Sequence, residues 1–181
     1  MLCDMTADGD PSEHDVGGMF EALYDRLHAL AQSMLGGERR DHTLEPAALL
    51  HEVYLRLRGA AQLDWRTSTH FESLAGRAMR NVLVDHARRA SRQKRHNGMF
   101  KVTLNESLLA GAPAQPIDLL DLDAALRRLA ERDPRAAEVL ELRLFAAMPV
   151  RAVAEALSIS YDAAKTDWLF ARAWMARELS R

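Results

Sequence analysis

The sequence predicts an all-α protein of two small helical domains joined by a flexible linker, with a helix-turn-helix as the C-terminal domain. Three observations support this fold class. Ala, Leu and Arg dominate the 181 residues, so strong helix formers outnumber the β-branched and aromatic residues typical of strands. Apolar residues recur at steps of three and four over several long segments. Between two groups of such segments lies a stretch with Gly111, Pro113 and Pro116 and no long periodic pattern.

These patterns divide the chain into a disordered N-terminus, a first helical domain, a linker and a second helical domain. In order, their predicted ranges are 1–16, 17–96, 97–117 and 118–181. Helix boundaries are also predicted from capping signals. The second helix of the first domain is expected to start near Thr43 or Leu44, with Pro46 in its first turn, and to end at Gly59. In the second domain, Asp133-Pro134 predicts a helix start with the aspartate as N-cap.

Charge is distributed unevenly along the chain, although its net value is only −2. Residues 1–48 hold ten acidic and three basic residues, whereas residues 76–101 hold eight basic residues and one acidic residue, Asp85. The basic segment continues the third predicted helix beyond its apolar stripe, which weakens after Leu83. A helix anchored in a core at one end and basic at the other is suited to contact a polyanion, although a charge run is more often a solvated face.

Several classes of protein are excluded or disfavoured. No apolar run reaches the ~18–20 residues that span a bilayer. The N-terminus lacks the apolar region of a secretory signal, so a cytoplasmic protein with no membrane partner is expected. The single cysteine, Cys3, excludes an intramolecular disulfide. The seven histidines do not pair at metal-ligand spacing, and no glycine-rich phosphate loop or nucleophile elbow is present, so we expect neither an enzyme nor a metal or other cofactor.

The C-terminal segment VRAVAEALSISYDAAKTDWLFARAW has the spacing of a helix-turn-helix, although Ser158 stands in the turn where glycine is usual. Ser160 can cap the second helix, and Asp162 and Asp167 are expected to oppose the approach of a phosphate. The second helix of such a motif lies in the major groove, so its outward side chains are candidate DNA contacts. These are Tyr161, Asp162, Lys165, Thr166 and, toward phosphate, Arg172. An ordinary helical hairpin and a stand-alone regulator that binds duplex DNA are the alternatives.

The segments HEVYLRL and WRTSTHFESLAGRAMRNVLVDHARR, together with the helix-turn-helix, resemble a bacterial RNA polymerase sigma factor of the extracytoplasmic-function (ECF) class, in its subgroup with an ARAMR…LVDHARR signature. The resemblance covers residues 17–96 and 118–180. It implies a non-catalytic factor that binds core RNA polymerase, through the β′ clamp helices and the β flap, and directs promoter recognition and transcription initiation. The first domain would open the −10 element of promoter DNA, and the second would bind the −35 element as duplex.

The resemblance also implies contact residues in the first domain. HEVYLRL matches the polymerase-binding helix, whose candidate contacts are His51, Glu52, Leu55 and Arg58. The loop 59–70 and the basic helix match the −10 recognition region, and Trp65 would either stack on a base or pack inside the protein. The candidate −10 contacts are Arg66, Thr67, Ser68, Thr69, His70, Arg80, Asn81, Asp85, Arg88, Arg89 and Arg92.

One departure from the family pattern predicts a form of regulation. ECF factors usually carry an acidic cluster just before the HEVYLRL-like helix, where this chain has Pro46, Ala47 and Ala48. A phosphate on Thr43 would restore negative charge beside the helix N-terminus. We therefore expect a Ser/Thr protein kinase as a further partner. The alternative is that Thr43 is a plain N-capping residue.

Overall fold

The computed structural model describes residues 16–35, 44–60, 65, 67–93, 100–103 and 116–180. Within these ranges the chain forms seven α-helices and one two-stranded antiparallel sheet, which confirms the all-α fold class. The helices are α1 (Val16–Leu35), α2 (Pro46–Gly59), α3 (Ser68–Gln93), α4 (Leu119–Arg132), α5 (Pro134–Phe145), α6 (Val150–Ala156) and α7 (Tyr161–Leu179). The strands are β1 (Lys101–Thr103) and β2 (Pro116–Asp118).

The first three helices pack together along their apolar stripes. Leu50, Phe71 and Met79 are fully buried where α2 and α3 meet. The start of α2 differs from the prediction, because the helix begins at Pro46 with Glu45 as its N-cap. Proline fixes φ near the helical value and has no N–H to leave unpaired, so it is well placed at the first helical position. Thr43 is therefore not the N-cap of α2, and it lies outside the described residues.

Two of the last four helices, α5 and α7, are capped as the sequence predicts. The Asp133 carboxylate accepts a hydrogen bond from the Ala136 N–H at 3.0 Å, directly before Pro134 opens α5. The Ser160 hydroxyl accepts from the Ala163 N–H at 3.2 Å and caps α7. Ser158 has a φ of 53°, the left-handed conformation that explains why glycine is usual at this point of the turn.

The two groups of helices, α1–α3 and α4–α7, pack on one another through α3, which contacts α4, α5 and α6. The two groups approach closely at Gly76, where an added Cβ atom would lie 2.6 Å from the Cβ of Ala146. The strands pair with Val102 opposite Ile117, which brings the two ends of the predicted linker together. Buried apolar residues of both groups form one continuous core. The division into two domains stays a prediction, and residues 1–15 and 104–115 lie outside the described ranges.

Candidate nucleic-acid interface

The outward face of α7 collects the side chains predicted to contact duplex DNA. Tyr161, Asp162, Lys165 and Thr166 are all exposed, and Arg172 is half-buried farther along the helix. The opposite face is buried through Ala164, Trp168, Ala171 and Met175, which follow each other at steps of three and four. The packed face thus fixes the helix on α5 and α6 and leaves a row of polar and basic groups open to solvent.

Asp167 does not belong to this open face, contrary to the expectation that it would oppose phosphate. Its side chain is only 6% exposed and accepts two hydrogen bonds from the Arg135 guanidinium, at 2.6 and 3.1 Å. These hydrogen bonds, with the coulombic attraction of Asp167, raise the pKa of Arg135 above its usual value. Because its charge is paired inside the helical group, Asp167 holds α7 against α5 instead of repelling DNA.

Two further side chains on α7 were missed by the sequence analysis. Leu169 is 50% exposed and Phe170 is 40% exposed, so large apolar groups continue the face that begins with Tyr161 and Lys165. Residues 161, 165 and 169 follow each other at steps of four, and this spacing would have placed Leu169 on the same face. An exposed aliphatic side chain in a major groove can contact the methyl group of thymine.

The predicted −10 loop is described only in part, because Arg66 lies outside the described residues. Thr67 and Ser68 are exposed at the start of α3, and the Thr67 hydroxyl accepts from the His70 N–H at 3.1 Å. The Thr69 hydroxyl donates to the Glu155 carboxylate of α6 at 3.3 Å. Trp65 is 6% exposed, and its ring meets Phe71 edge-to-face with centroids 4.9 Å apart. Of the two roles predicted for Trp65, this structure has the packed one.

Two of the predicted −10 cations are paired with acids of the second helical group. Arg80 donates to Asp123 at 2.7 Å and to Glu141 at 3.0 Å. Arg88 donates to the other oxygen of Asp123 at 3.4 Å. Burial disfavours the charged form of Arg80, but Glu141 and then Asp123, by coulombic attraction and hydrogen bonding, outweigh burial and raise the pKa of Arg80. We call Arg80, Arg88, Asp123 and Glu141 the arginine–carboxylate cluster.

The remaining −10 candidates on α3 face α2 or solvent. Asp85 accepts from Arg56 of α2 at 2.6 Å, and Arg89 lies 3.9 Å from Glu52. Asn81 and Arg92 are exposed. Asp85 and Arg88, both predicted −10 contacts, are thus turned toward different helices in this conformation.

The surface of α2 carries the predicted polymerase contacts. His51, Leu55 and Arg58 are exposed, Leu55 by 51%, and Glu52 is half-buried. On the other side of the helix, Val53 and Leu57 are buried and Tyr54 is half-buried. Beside this face, a groove of about 470 Å³ lies between α1 and α2 and is lined by residues that include Phe20, Tyr24, His51 and Tyr54. The outer face of α2 is therefore available for a protein partner.

Two searches of the described residues bear on other kinds of site. Nowhere in the described ranges do His, Cys, Asp and Glu side chains come together as a group able to hold a metal ion. None of the helices in those ranges is long and apolar enough to cross a membrane.

Comparison with known families decides between the remaining interpretations. The sequence profile of the ECF sigma factor family matches residues 1–181. The chain belongs to the ECF sigma factor family. ECF sigma factors bind core RNA polymerase and promoter DNA and direct transcription initiation, so the alternative of a stand-alone regulator is not favoured. A search of curated proteins returned no match.

Proposed function

We propose that this ECF sigma factor reads its promoter with two separate surfaces: the basic edge of α3 for the opened −10 element, and the outward face of α7 for the −35 duplex. The proposal rests mainly on how α7 is held in place and which of its side chains are exposed. The helix is capped by Ser160, fixed by its buried face, and open along Tyr161, Asp162, Lys165 and Thr166. A recognition helix needs this combination, because side chains can read base edges only from a rigid and accessible face.

Polymerase binding is assigned to the exposed face of α2. His51, Leu55 and Arg58 follow each other at steps of four and three, so they form one stripe on the side of the helix away from Val53 and Leu57. Leu55 supplies apolar area at the centre of that stripe, and interface centres gain most of their binding energy from such buried contacts. The contact would join the factor to the β′ clamp helices of the core enzyme, and α4–α7 would contact the β flap.

Phosphorylation of Thr43 by a Ser/Thr kinase is the proposed activating event. The first turn of α2 has no acidic residue, and the Glu45 N-cap makes no side-chain hydrogen bond to the helix. A phosphothreonine next to this turn would add about −1.5 to −2 charges, and the helix N-terminus would favour them. The added charge would compensate for the acidic cluster that Pro46, Ala47 and Ala48 replace.

Reconstituted transcription tests the promoter-reading proposal. The purified chain with core RNA polymerase should initiate from specific genomic fragments, and Lys165→Ala should reduce initiation severalfold without weakening the complex with polymerase. Arg132→Ala is the matched control, because it removes an exposed positive charge at the end of α4. If the chain fails to bind core polymerase in every modified state, the proposed function is wrong.

Added charge near the start of α2 tests the phosphorylation proposal. Thr43→Glu and Ala47→Glu should each strengthen binding to core polymerase about tenfold, the effect of a close charge pair worth about 1.4 kcal/mol. Thr43→Ala should abolish activation by the kinase. Ala60→Glu adds the same charge at the opposite end of α2 and should have no such effect. Equal transcription by the parent, Thr43→Ala and Thr43→Glu would exclude the switch.

A further inference from the structure

We propose that the free chain holds its own −10 face closed, with carboxylates of α4 and α5 occupying the cationic groups that would bind DNA phosphates. This inference rests on the proposed assignment of α3 to the −10 element. It adds an internal competitor for DNA within the same chain, which must be displaced before the factor can engage opened promoter DNA.

Asp123 is the centre of this contact. It is 5% exposed, and its two carboxylate oxygens accept hydrogen bonds from Arg80, Arg88 and Arg127 at 2.7, 3.4 and 2.6 Å. A phosphate in a nucleic-acid backbone is bound in the same manner, by guanidinium groups that each donate to its oxygens. A carboxylate and a phosphate cannot occupy these donors at the same time, so the two ligands compete.

The closed contact extends along most of α3. Arg77 donates to Glu138 at 3.1 Å, on the same side of the helix as Arg80. At the other end of the contact, Thr69 donates to Glu155. Thr69 and Arg88 are separated by about five helical turns, and both are predicted DNA contacts. A DNA strand that runs along this edge of α3 would meet the second helical group over that whole length.

This contact explains why a glycine stands in the middle of α3. Glycine in a helix interior is about 1 kcal/mol less favourable than alanine. Here the backbone of α3 approaches the α5–α6 connection so closely that a Cβ atom on Gly76 would lie 2.6 Å from the Cβ and 3.1 Å from the backbone nitrogen of Ala146. Arg26 also donates to the Ala146 carbonyl, at 3.4 Å. The close approach therefore depends on the missing side chain at residue 76.

Closure weakens the apparent affinity of the chain for DNA. When only a fraction of the molecules is open, the apparent dissociation constant for DNA equals the intrinsic constant divided by that fraction. If about nine-tenths of the free molecules are closed, opening the contact strengthens DNA binding about tenfold. Salt weakens both the cluster and the DNA contact, so the comparison must be made at one fixed ionic strength.

The experiment compares two ways of opening the contact, with a matched control for one of them. Gly76→Leu inserts a side chain into the contact with Ala146 and leaves every predicted DNA contact in place. Asp123→Asn keeps the shape of the residue but removes the charge. Ala22→Leu is the control, because it adds a leucine side chain at an exposed position of α1 that is not a predicted DNA contact. Each full-length variant is titrated into fluorescein-labelled oligo(dT), and hydrogen exchange in the α5–α6 connection reports opening.

Gly76→Leu and Asp123→Asn should both bind oligo(dT) about tenfold more tightly than the parent and exchange faster in the α5–α6 connection, while Ala22→Leu should match the parent in both measurements. If Asp123→Asn does not fold, Gly76→Leu alone decides. Faster exchange without tighter binding would overturn the proposal, as would parental behaviour in both measurements. Tighter binding by variants that never join core polymerase would instead leave closure standing and contradict the proposed function.

Discussion

The two predicted DNA-binding surfaces of this ECF sigma factor differ in what covers them. On α7, residues such as Tyr161 and Lys165 are exposed to solvent, whereas on α3 the guanidinium of Arg80 is 17% exposed and is bound by two carboxylates. Both surfaces carry cations on a helix edge, so the difference does not arise from the residues of the surface itself. It arises from the partner helices, because α5 and α6 support α7 from behind while α4, α5 and α6 lie against α3.

The largest expected effect concerns whether the two helical groups unfold together. Phe71 and Phe145 are both fully buried, one in each group, and belong to one continuous core. Replacing either with alanine should cost about 3–5 kcal/mol of unfolding free energy. If the core is shared, each variant should lower the midpoint of a single transition, measured by circular dichroism during urea unfolding. Two separate transitions, only one of them shifted by each variant, would show that the groups unfold independently.

The arginine–carboxylate cluster should contribute more to the free energy of unfolding than the exposed ion pair beside it. Arg80→Ala leaves the charges of Asp123 and Glu141 partly buried without this partner, and we expect a loss of roughly 1–3 kcal/mol after allowing for partial exposure. Arg77→Ala removes a pair whose side chains are 41% and 46% exposed, so its loss should be about 0–1 kcal/mol. Urea unfolding of both variants measures the difference.

The same cluster should respond little to pH through Arg80. A raised pKa means that the stabilisation from Arg80 is fully present below its unfolded pKa and is lost only as pH rises through the higher folded pKa. Both pKa values lie above the pH range of transcription assays.

If Arg80→Ala and Arg77→Ala lose the same free energy of unfolding, the cluster contributes no more to stability than an exposed ion pair.

A substitution on the open face of α7 should have a smaller effect, and it should be seen in the affinity for duplex DNA. Lys165→Ala should weaken binding to duplex promoter DNA severalfold and reduce the salt dependence of binding by about one counterion if the ammonium contacts a phosphate. If Lys165 reads a base edge instead, the loss should be confined to particular sequences and the salt dependence should be unchanged. Fluorescence anisotropy across a series of salt concentrations separates the two outcomes. Parental binding to every duplex would remove Lys165 from the interface.

The smallest expected effect is at Leu169. An exposed leucine that contacts a thymine methyl group should contribute about 0.8 kcal/mol, close to a fourfold change in affinity. Leu169→Ala should therefore weaken binding to a thymine-containing −35 duplex about fourfold and should lose any preference for thymine over uracil at the contacted position. Leu169→Met, which preserves much of the apolar area, is the matched control. A thymine preference that survives in Leu169→Ala would assign the methyl contact to another residue.

The amino-acid sequence by itself determined the local structure. Apolar residues at helical spacing specify the stripes of α1 to α3, and the caps at Asp133 and Ser160 specify where α5 and α7 begin, because these signals act within one or two turns of chain. The outward face of α7 could be predicted in the same way, because the apolar residues Ala164 and Trp168 mark the inward face. Even the position of Ser158 in the turn could be predicted, since the motif requires a particular backbone conformation there.

Only the tertiary structure decided which of these surfaces is open. Nothing near Arg80 in the sequence indicates that Asp123 and Glu141 will bind it, because the partners are separated by 43 and 61 positions and meet only when α4 and α5 pack on α3. The roles of Gly76 and Asp167 were hidden for the same reason: each depends on Ala146 or Arg135 from another helix. Helix formation is a short-range property of the chain, whereas the coverage of a charged face depends on long-range packing.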